Sequence, residues 1–384
     1  MERHQNMRVL LVANYEPDGQ KSMSRYADWV RKMAESHGHD VTVIQPKPLF
    51  TRISRHPSIT KHLGYLDKFI VFPPRLAKVA KQYDVVHILD HSNSMYLSIV
   101  GHKAKLITCH DLLAIRSARG EFPVVSTGWS GRLLQRWILS GLSTADCVIC
   151  VSEKTAEDLR RVTNKPFLNT RVIYHGLNWN YKPGANLSSD LAQKLGLIPS
   201  HPYLLHVGGN SWYKNRMGVL RIFAHFAEAP ENVNYLLLMV GKPWTSEMVR
   251  LVQKSGLSNR VREALNISNS ELMELYCNAS ALLFPSLEEG FGWPVLEAQA
   301  CGCLVVTSGR RPMTEVAGAA AVYIDPDDPE GAALKVSIAI RNGDGLRAAG
   351  FKNLARFDEA KVAVQYMKVY DEVVAQFSDL HPKS

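Results

Sequence analysis

Two glutamates, Glu289 and Glu297, stand with seven residues between them, Gly290-Phe291-Gly292 leading that gap. The apolar run 279–284 predicts a buried strand, Pro285 and Ser286 end it, and the two glycines allow a tight turn. Pro294 then opens a helix at a position where its missing N–H costs nothing. A strand–turn–helix junction of this kind aims free backbone N–H groups outward at the positive end of a helix dipole, a seat for phosphate. With a diphosphate in that seat, a carboxylate on each side can accept hydrogen bonds from hydroxyls. A nucleotide-sugar presents its groups in that order: ribose diol, diphosphate, sugar hydroxyls. The competing reading is two solvated surface charges beside a glycine turn, because a short Gly-rich turn is a weak signal.

Further candidates sit at other predicted strand ends. The segment 206–215 carries Gly208, Gly209 and Asn210 in a flexible turn, followed by Lys214, a point charge suited to diphosphate. An ordinary helix-leading loop with a solvated lysine is the alternative. His110-Asp111 ends a strand, where a histidine can donate to a sugar hydroxyl or to developing phosphate charge; the alternative is a satisfied structural histidine, one of 14 in the chain. Asn266-Ile267 precedes a helix, and Ser268 or Ser270 beside it can equally be a plain N-cap. His175 has no role assigned.

Glu289-Gly290-Phe291-Gly292 and Glu297, with Pro-Ser before them and Glu-Ala-x-Ala-x-Gly closing the run, resemble the donor-site signature of the retaining family 4 glycosyltransferases. The resemblance implies that Glu297 holds the ribose diol. Lys214 and the N–H groups of Gly19, Val295 and Leu296 would hold the diphosphate, while Glu289 and the Phe291-Gly292 backbone grip the sugar. Asn266 and Ile267 would pack on the base, and His110 would lie against the donor sugar. The match departs from the family pattern in two places. The loop before Lys214 lacks the family's arginine, with Asn210 or Tyr213 in its place and Arg216 as a substitute nearby, and Gly19 stands where a glycine pair is frequent. The run 325–329 has neither the histidines nor the further carboxylates of a metal site, so neither metal nor cofactor is expected.

These residues need elements to hold them. The chain has 384 residues, 46% of them hydrophobic, enough for two domains. Strands are expected at 7–14, 41–45, 83–89, 106–109, 145–151 and 171–174, with helices between most of them. An Asn/Pro/Gly/Ser-rich break spans 178–200. Alternation resumes with strands at 203–207, 235–240, 281–284 and 304–307 and helices near 217–226, 246–254, 270–277 and 329–341. The fold class is α/β: two doubly wound Rossmann-like domains, with a ligand cleft expected between them. The boundaries are 1–183, 184–358, and a last helix 359–384 that, by the resemblance, crosses back onto the first domain. This is the B-type glycosyltransferase architecture.

No stretch reaches the length of a transmembrane helix, and Arg8 interrupts the only N-terminal apolar run, so no signal peptide is expected. Six cysteines in a chain this long fit a reducing cytoplasm, and Cys147 and Cys150, on opposite faces of a strand, read as core. Residues 1–183 carry 26 Lys+Arg against 15 Asp+Glu, a net +11 in a chain whose total is +9. That half can face anionic lipid or an anionic acceptor; nucleic acid is not expected, since no binding motif accompanies the charge. The stretches 65–81 and 129–142 mix aromatic, aliphatic and basic residues, as a membrane-surface helix does and as a helix on a sheet also does.

The expected function is transfer of a mannosyl-like or glucosyl-like unit from a nucleotide-diphosphate sugar to a glycan or lipid-linked acceptor. It would retain anomeric configuration and serve cell-envelope polysaccharide synthesis, in the cytoplasm or peripherally on the inner membrane face. The rival functions are a nucleotide-sugar hydrolase or epimerase and a non-catalytic nucleotide-sugar-binding module.

Overall fold

The computed structural model describes residues 6–53, 57–165, 169–198 and 201–380. The chain divides into two compact units, one holding the residues up to Asn178 together with those from Glu359 onward, the other Trp179–Asp358.

The first unit is built on six parallel strands: β1 (Arg8–Val12), β2 (Asp40–Ile44), β3 (Val85–Ile88), β4 (Ala104–Cys109), β5 (Cys147–Cys150) and β6 (Thr170–Val172). Their order is β2-β1-β3-β4-β5-β6. Every residue of β3 and β5 is buried, which is why these strands read as near-continuous apolar runs, broken only by His87 in β3, rather than alternating ones. Leu10, Val12, Val86, Ile88, Ile107 and Val148 form the centre of the core. The C-terminal helix Glu359–Leu380 closes this unit. Its Tyr366 hydroxyl lies 2.8 Å from the Tyr26 hydroxyl, and Tyr370 lies 2.8 Å from His87 Nδ1. Thr108 Oγ1 completes the chain, 2.8 Å from both His87 Nε2 and the Tyr26 hydroxyl.

The second unit carries β7 (Tyr203–Gly208), β8 (Leu236–Gly241), β9 (Val261–Leu265), β10 (Ala281–Phe284), β11 (Val305–Ser308) and β12 (Val322–Ile324), in the order β12-β11-β10-β7-β8-β9, again all parallel. Leu204, Leu237, Met239, Leu283 and Val306 centre its core, with Phe223 and Phe226 packed from the helix Arg216–Glu228. Two strands escape the sequence reading. β9 is an edge strand with Arg262 and Glu263 in its middle, and β12 is three residues long with one of them buried, so neither gives a sustained apolar signal.

The strand order fixes where ligands can sit. From β7 the chain passes to β8 on one side of the sheet, and from β10 to β11 on the other. The crevice outside the carboxyl ends of β7 and β10 is therefore the topological switch point of this unit, the favoured ligand position in an open parallel sheet.

Candidate functional site

The loops after β7 and β10 are laced together at that switch point. Leu287 N–H donates to the Tyr213 carbonyl at 2.7 Å, and Asn215 Nδ2 donates to the Pro285 carbonyl at 3.1 Å. Asn215 sits in the left-handed region (φ 51°) and caps the helix Arg216–Glu228 by accepting from Gly218 N–H at 3.2 Å. One asparagine thus ends the first loop, starts its helix and ties it to the second.

Lys214, one residue earlier, reaches across the same gap. Its Nζ donates to Glu289 Oε1 at 2.7 Å and Oε2 at 2.9 Å. The Glu289 side chain is 7% exposed and that of Lys214 19%, so the pair is largely shielded from water. The ammonium also lies 5.3 Å from the centroid of Phe284, within cation–π range. Gly208 leaves room where the loop leaves β7: a Cβ there would lie 3.0 Å from His206 Nε2, a tight contact, and 3.5 Å from Lys214 Cβ. His206 Nδ1 lies 3.0 Å from the Leu283 carbonyl, which can only accept, so Nδ1 carries the proton. Burial holds the ring neutral, its pKa down to about 3.

After β10, Gly292 adopts φ 103°, a conformation that other residues rarely take, and the helix Trp293–Ala300 follows with Pro294 in its first turn. Val295 N–H, expected to meet a diphosphate, donates here to the Gly292 carbonyl at 3.0 Å. Phe291 is buried beside Trp293 and Phe357, which anchors the turn. Glu297 is 4% exposed and its Oε2 accepts from the Tyr276 hydroxyl at 2.9 Å. Neither glutamate is a solvated surface charge.

The other candidates of this unit make contacts within the protein. Arg216 points inward: its Nη1 donates to the Asn210 side-chain oxygen and to the Lys242 carbonyl, the latter at 2.8 Å, while Nε and Nη2 are buried with no hydrogen-bond partner among the described residues. Asn210 in turn donates to the Pro243 carbonyl at 2.8 Å, and the Gly209 Cα faces Lys242. Both side chains brace the loops after β7 and β8. Asn266 takes φ 54° after β9, and Ile267 leads to Ser268, the N-cap of the helix Asn269–Asn278 in a full capping box with Glu271.

In the first unit, Gly19 ends a short helical turn in the left-handed region, with no atom of the described residues beyond its chain neighbours within 4 Å of where its Cβ would be. His110 follows β4 and is 8% exposed. Its Nε2 lies 2.8 Å from the Leu89 carbonyl, so Nε2 carries the proton, and its Nδ1 lies 3.2 Å from His175 Nε2. Burial lowers the pKa of both rings, His175 the further, so both are neutral near pH 7. The partner that sequence reasoning left unassigned is therefore the one that fixes His110. Asp90, also unpredicted, is buried at the end of β3 and accepts from Asn14 at the end of β1 at 2.6 Å. Burial opposes its ionisation, but His91, His110, Asn14 and the Ser92 N–H together hold the carboxyl below its usual range. Among the described residues, no group of three or more His, Cys, Asp or Glu could hold a metal ion.

Two family models match the chain: Glycosyltransferase Family 4 over residues 23–180 and Glycosyl transferases group 1 over residues 189–358. The chain belongs to the group 1, family 4 glycosyltransferases. The O-antigen chain mannosyltransferase B of Escherichia coli is 23% identical over 59% of this chain and 59% of its own. The D-inositol 3-phosphate glycosyltransferase of Corynebacterium diphtheriae is 25% identical over 65% of this chain and 60% of its own. The chain thus spans about three-fifths of the length of these relatives. The sucrose-phosphate synthase of Thermosynechococcus elongatus matches in structure, with a TM-score of 0.74, 20% identity, and coverage of 97% of this chain and 100% of that one. The family's fold, the B-type glycosyltransferase architecture of two Rossmann-like units, is the fold of this chain.

Proposed function

We propose that this family member transfers a hexosyl unit, mannosyl-like or glucosyl-like, from a nucleotide-diphosphate sugar to a hydroxyl of a glycan or lipid-linked acceptor. Transfer retains anomeric configuration, needs no metal, and serves cell-envelope polysaccharide synthesis on the cytoplasmic side of a membrane. The observation that carries this reading is the Lys214–Glu289 pair at the β7/β10 switch point, beside the amino end of the helix Trp293–Ala300.

A diphosphate arriving there competes with Glu289 for Lys214. The lysine moves its charge to the phosphate oxygens, and the freed carboxylate turns to the sugar hydroxyls, so that seating the donor exchanges one set of charge-assisted hydrogen bonds for two. Glu297, its carboxylate oriented by the Tyr276 hydroxyl, accepts from the ribose diol. Arg216 acts as a brace: its guanidinium keeps the loop carrying Lys214 at a fixed height above the sheet. His110, with its tautomer set by Leu89 and His175, supports the donor sugar, as the resemblance implies.

No carboxylate serves as a covalent nucleophile. The acceptor hydroxyl attacks the face that the diphosphate leaves, and a phosphate oxygen takes its proton, which keeps the configuration. Catalysis is then orientation of the two substrates and stabilisation of the charge that builds on the leaving diphosphate. The test is a thermal-shift screen of GDP-, UDP-, dTDP- and ADP-sugars. One of them is expected to raise the melting temperature through linkage, and less so for Lys214→Met. If no nucleotide-sugar shifts the wild-type protein, this function is abandoned.

A further inference from the structure

Exposed apolar side chains are not spread evenly over this chain. Ten of the nineteen large exposed ones among the described residues lie in 49–70 and 124–137 of the first unit. Side-chain contacts join these segments. Asp67, 1% exposed, accepts from the Phe50 and Thr51 N–H groups at 2.9 and 3.3 Å, pinning the loop around residue 50 to the turn Asp67–Val71. The Phe69 and Trp137 rings, 5.4 Å apart, then join that turn to the helix Trp129–Leu142.

On this helix Trp129, Leu133 and Trp137 are 79%, 58% and 46% exposed and recur every four residues, forming a single stripe. The opposite side is fixed against the unit by buried Ile138 and Leu142 and by Gly141, where a Cβ would lie 2.6 Å from the Ser94 carbonyl. The helix cannot roll to bury its tryptophans without losing that contact.

Charge follows the same segments. Residues 49–70 and 124–137 contain six Lys and Arg and one acid, Asp67, which the loop contacts already consume. Arg132 and Arg136 flank the stripe, are exposed, and form no ion pair among the described residues. No helix among the described residues is long and apolar enough to cross a membrane, so the apolar stripe has no role as a span.

We propose that this face docks on a lipid bilayer carrying anionic headgroups. Tryptophan and leucine enter the headgroup–acyl boundary while the arginines meet lipid phosphates, the arrangement of an interfacial amphipathic helix. A soluble partner would have to bring its own anionic rim around an apolar groove, whereas an anionic bilayer offers both at once over its whole surface.

The inference deepens the membrane-side clause of the proposed function but does not use the donor site. The full chain is sedimented with vesicles of phosphatidylcholine alone and with a third phosphatidylglycerol, at low and high salt. Binding is expected to the anionic vesicles, at least tenfold stronger than to neutral ones, weakened by salt, and accompanied by a blue shift of tryptophan fluorescence. Trp129→Ser with Leu133→Ser is expected to lower it at least tenfold with the melting temperature unchanged, and Arg132→Glu with Arg136→Glu to abolish the preference for anionic lipid. Wild type that fails to bind anionic vesicles overturns the proposal, as does serine-variant binding equal to wild type. So does a concentration-dependent dimer in light scattering that the serine variant abolishes, which would assign the face to a second copy. Nucleotide-sugar stabilisation with no vesicle binding overturns this inference alone; vesicle binding with no nucleotide-sugar stabilisation overturns only the transferase reading.

Discussion

Lys214 Nζ meets both carboxylate oxygens of Glu289, at 2.7 and 2.9 Å, across a gap of 75 residues in sequence. Neither side chain has much water to fall back on, so each depends on the other until a ligand replaces it. Removing Lys214 alone strands a buried carboxylate. Lys214→Met is expected to cost about 1–3 kcal/mol of stability, between the exposed and fully buried limits for ion pairs. Adding Glu289→Gln should recover most of that loss in urea denaturation. Transfer should fall about a hundredfold or more in both single variants and stay low in the double. A double variant that regains transfer along with stability would reduce the pair to a structural contact.

The Tyr276 hydroxyl donates to Glu297 Oε2 at 2.9 Å. Tyr276→Phe is expected to cost about 1.5–3 kcal/mol, the range for a hydrogen bond to a charged group. If Glu297 is the ribose ligand, the donor KM should rise several-fold while kcat changes less. An unchanged KM with lowered stability would make Tyr276 a packing residue only.

Arg216 and Lys214 are separated by one residue but should behave differently. The guanidinium is buried under the loop, so Arg216→Met is expected to weaken nucleotide-sugar binding less than about threefold, against tenfold or more for Lys214→Met, in calorimetric titration. Equal losses would restore Arg216 as a direct phosphate ligand.

Acid should destabilise both units. His87 and His206 have pKa values lowered by burial to about 3, while in the unfolded chain they titrate near the usual 6.5. Between those values the unfolded chain binds protons that the folded chain refuses. Stability is therefore constant above about pH 6.5 and falls as the pH drops toward 3, at up to about 1.4 kcal/mol per pH unit for each histidine. Melting temperatures measured from pH 7.5 to 5 should fall, and His206→Asn should flatten the decline. A profile independent of pH in both proteins would contradict the burial of these rings.

How much of this was legible depended on whether the signal was local. Glu289, Gly292, Pro294 and Glu297 lie on one continuous strand–turn–helix run, so their residue types alone marked a junction. Lys214 was visible for the same reason, at the end of β7. Asn215 carried a readable signal that went unused: an asparagine directly before an apolar-periodic helix is a cap candidate. What was hidden needed the fold. The Tyr276–Glu297 bond spans 21 residues, His110 and His175 are 65 apart, and Asp90 meets Asn14 only because β3 pairs with β1. For Arg216, proximity to Lys214 in sequence said nothing about direction: as the first residue of a helix, it places its guanidinium against Asn210 and the Lys242 carbonyl.

The most direct measurement is a crystal structure with the nucleotide diphosphate that gives the largest thermal shift. The expected result has the diphosphate at the amino end of the helix Trp293–Ala300, Lys214 Nζ moved from Glu289 onto a phosphate oxygen, and the ribose diol within hydrogen-bond distance of Glu297. A nucleotide bound elsewhere, or one bound with Lys214 still on both oxygens of Glu289, would contradict the assignment of this site.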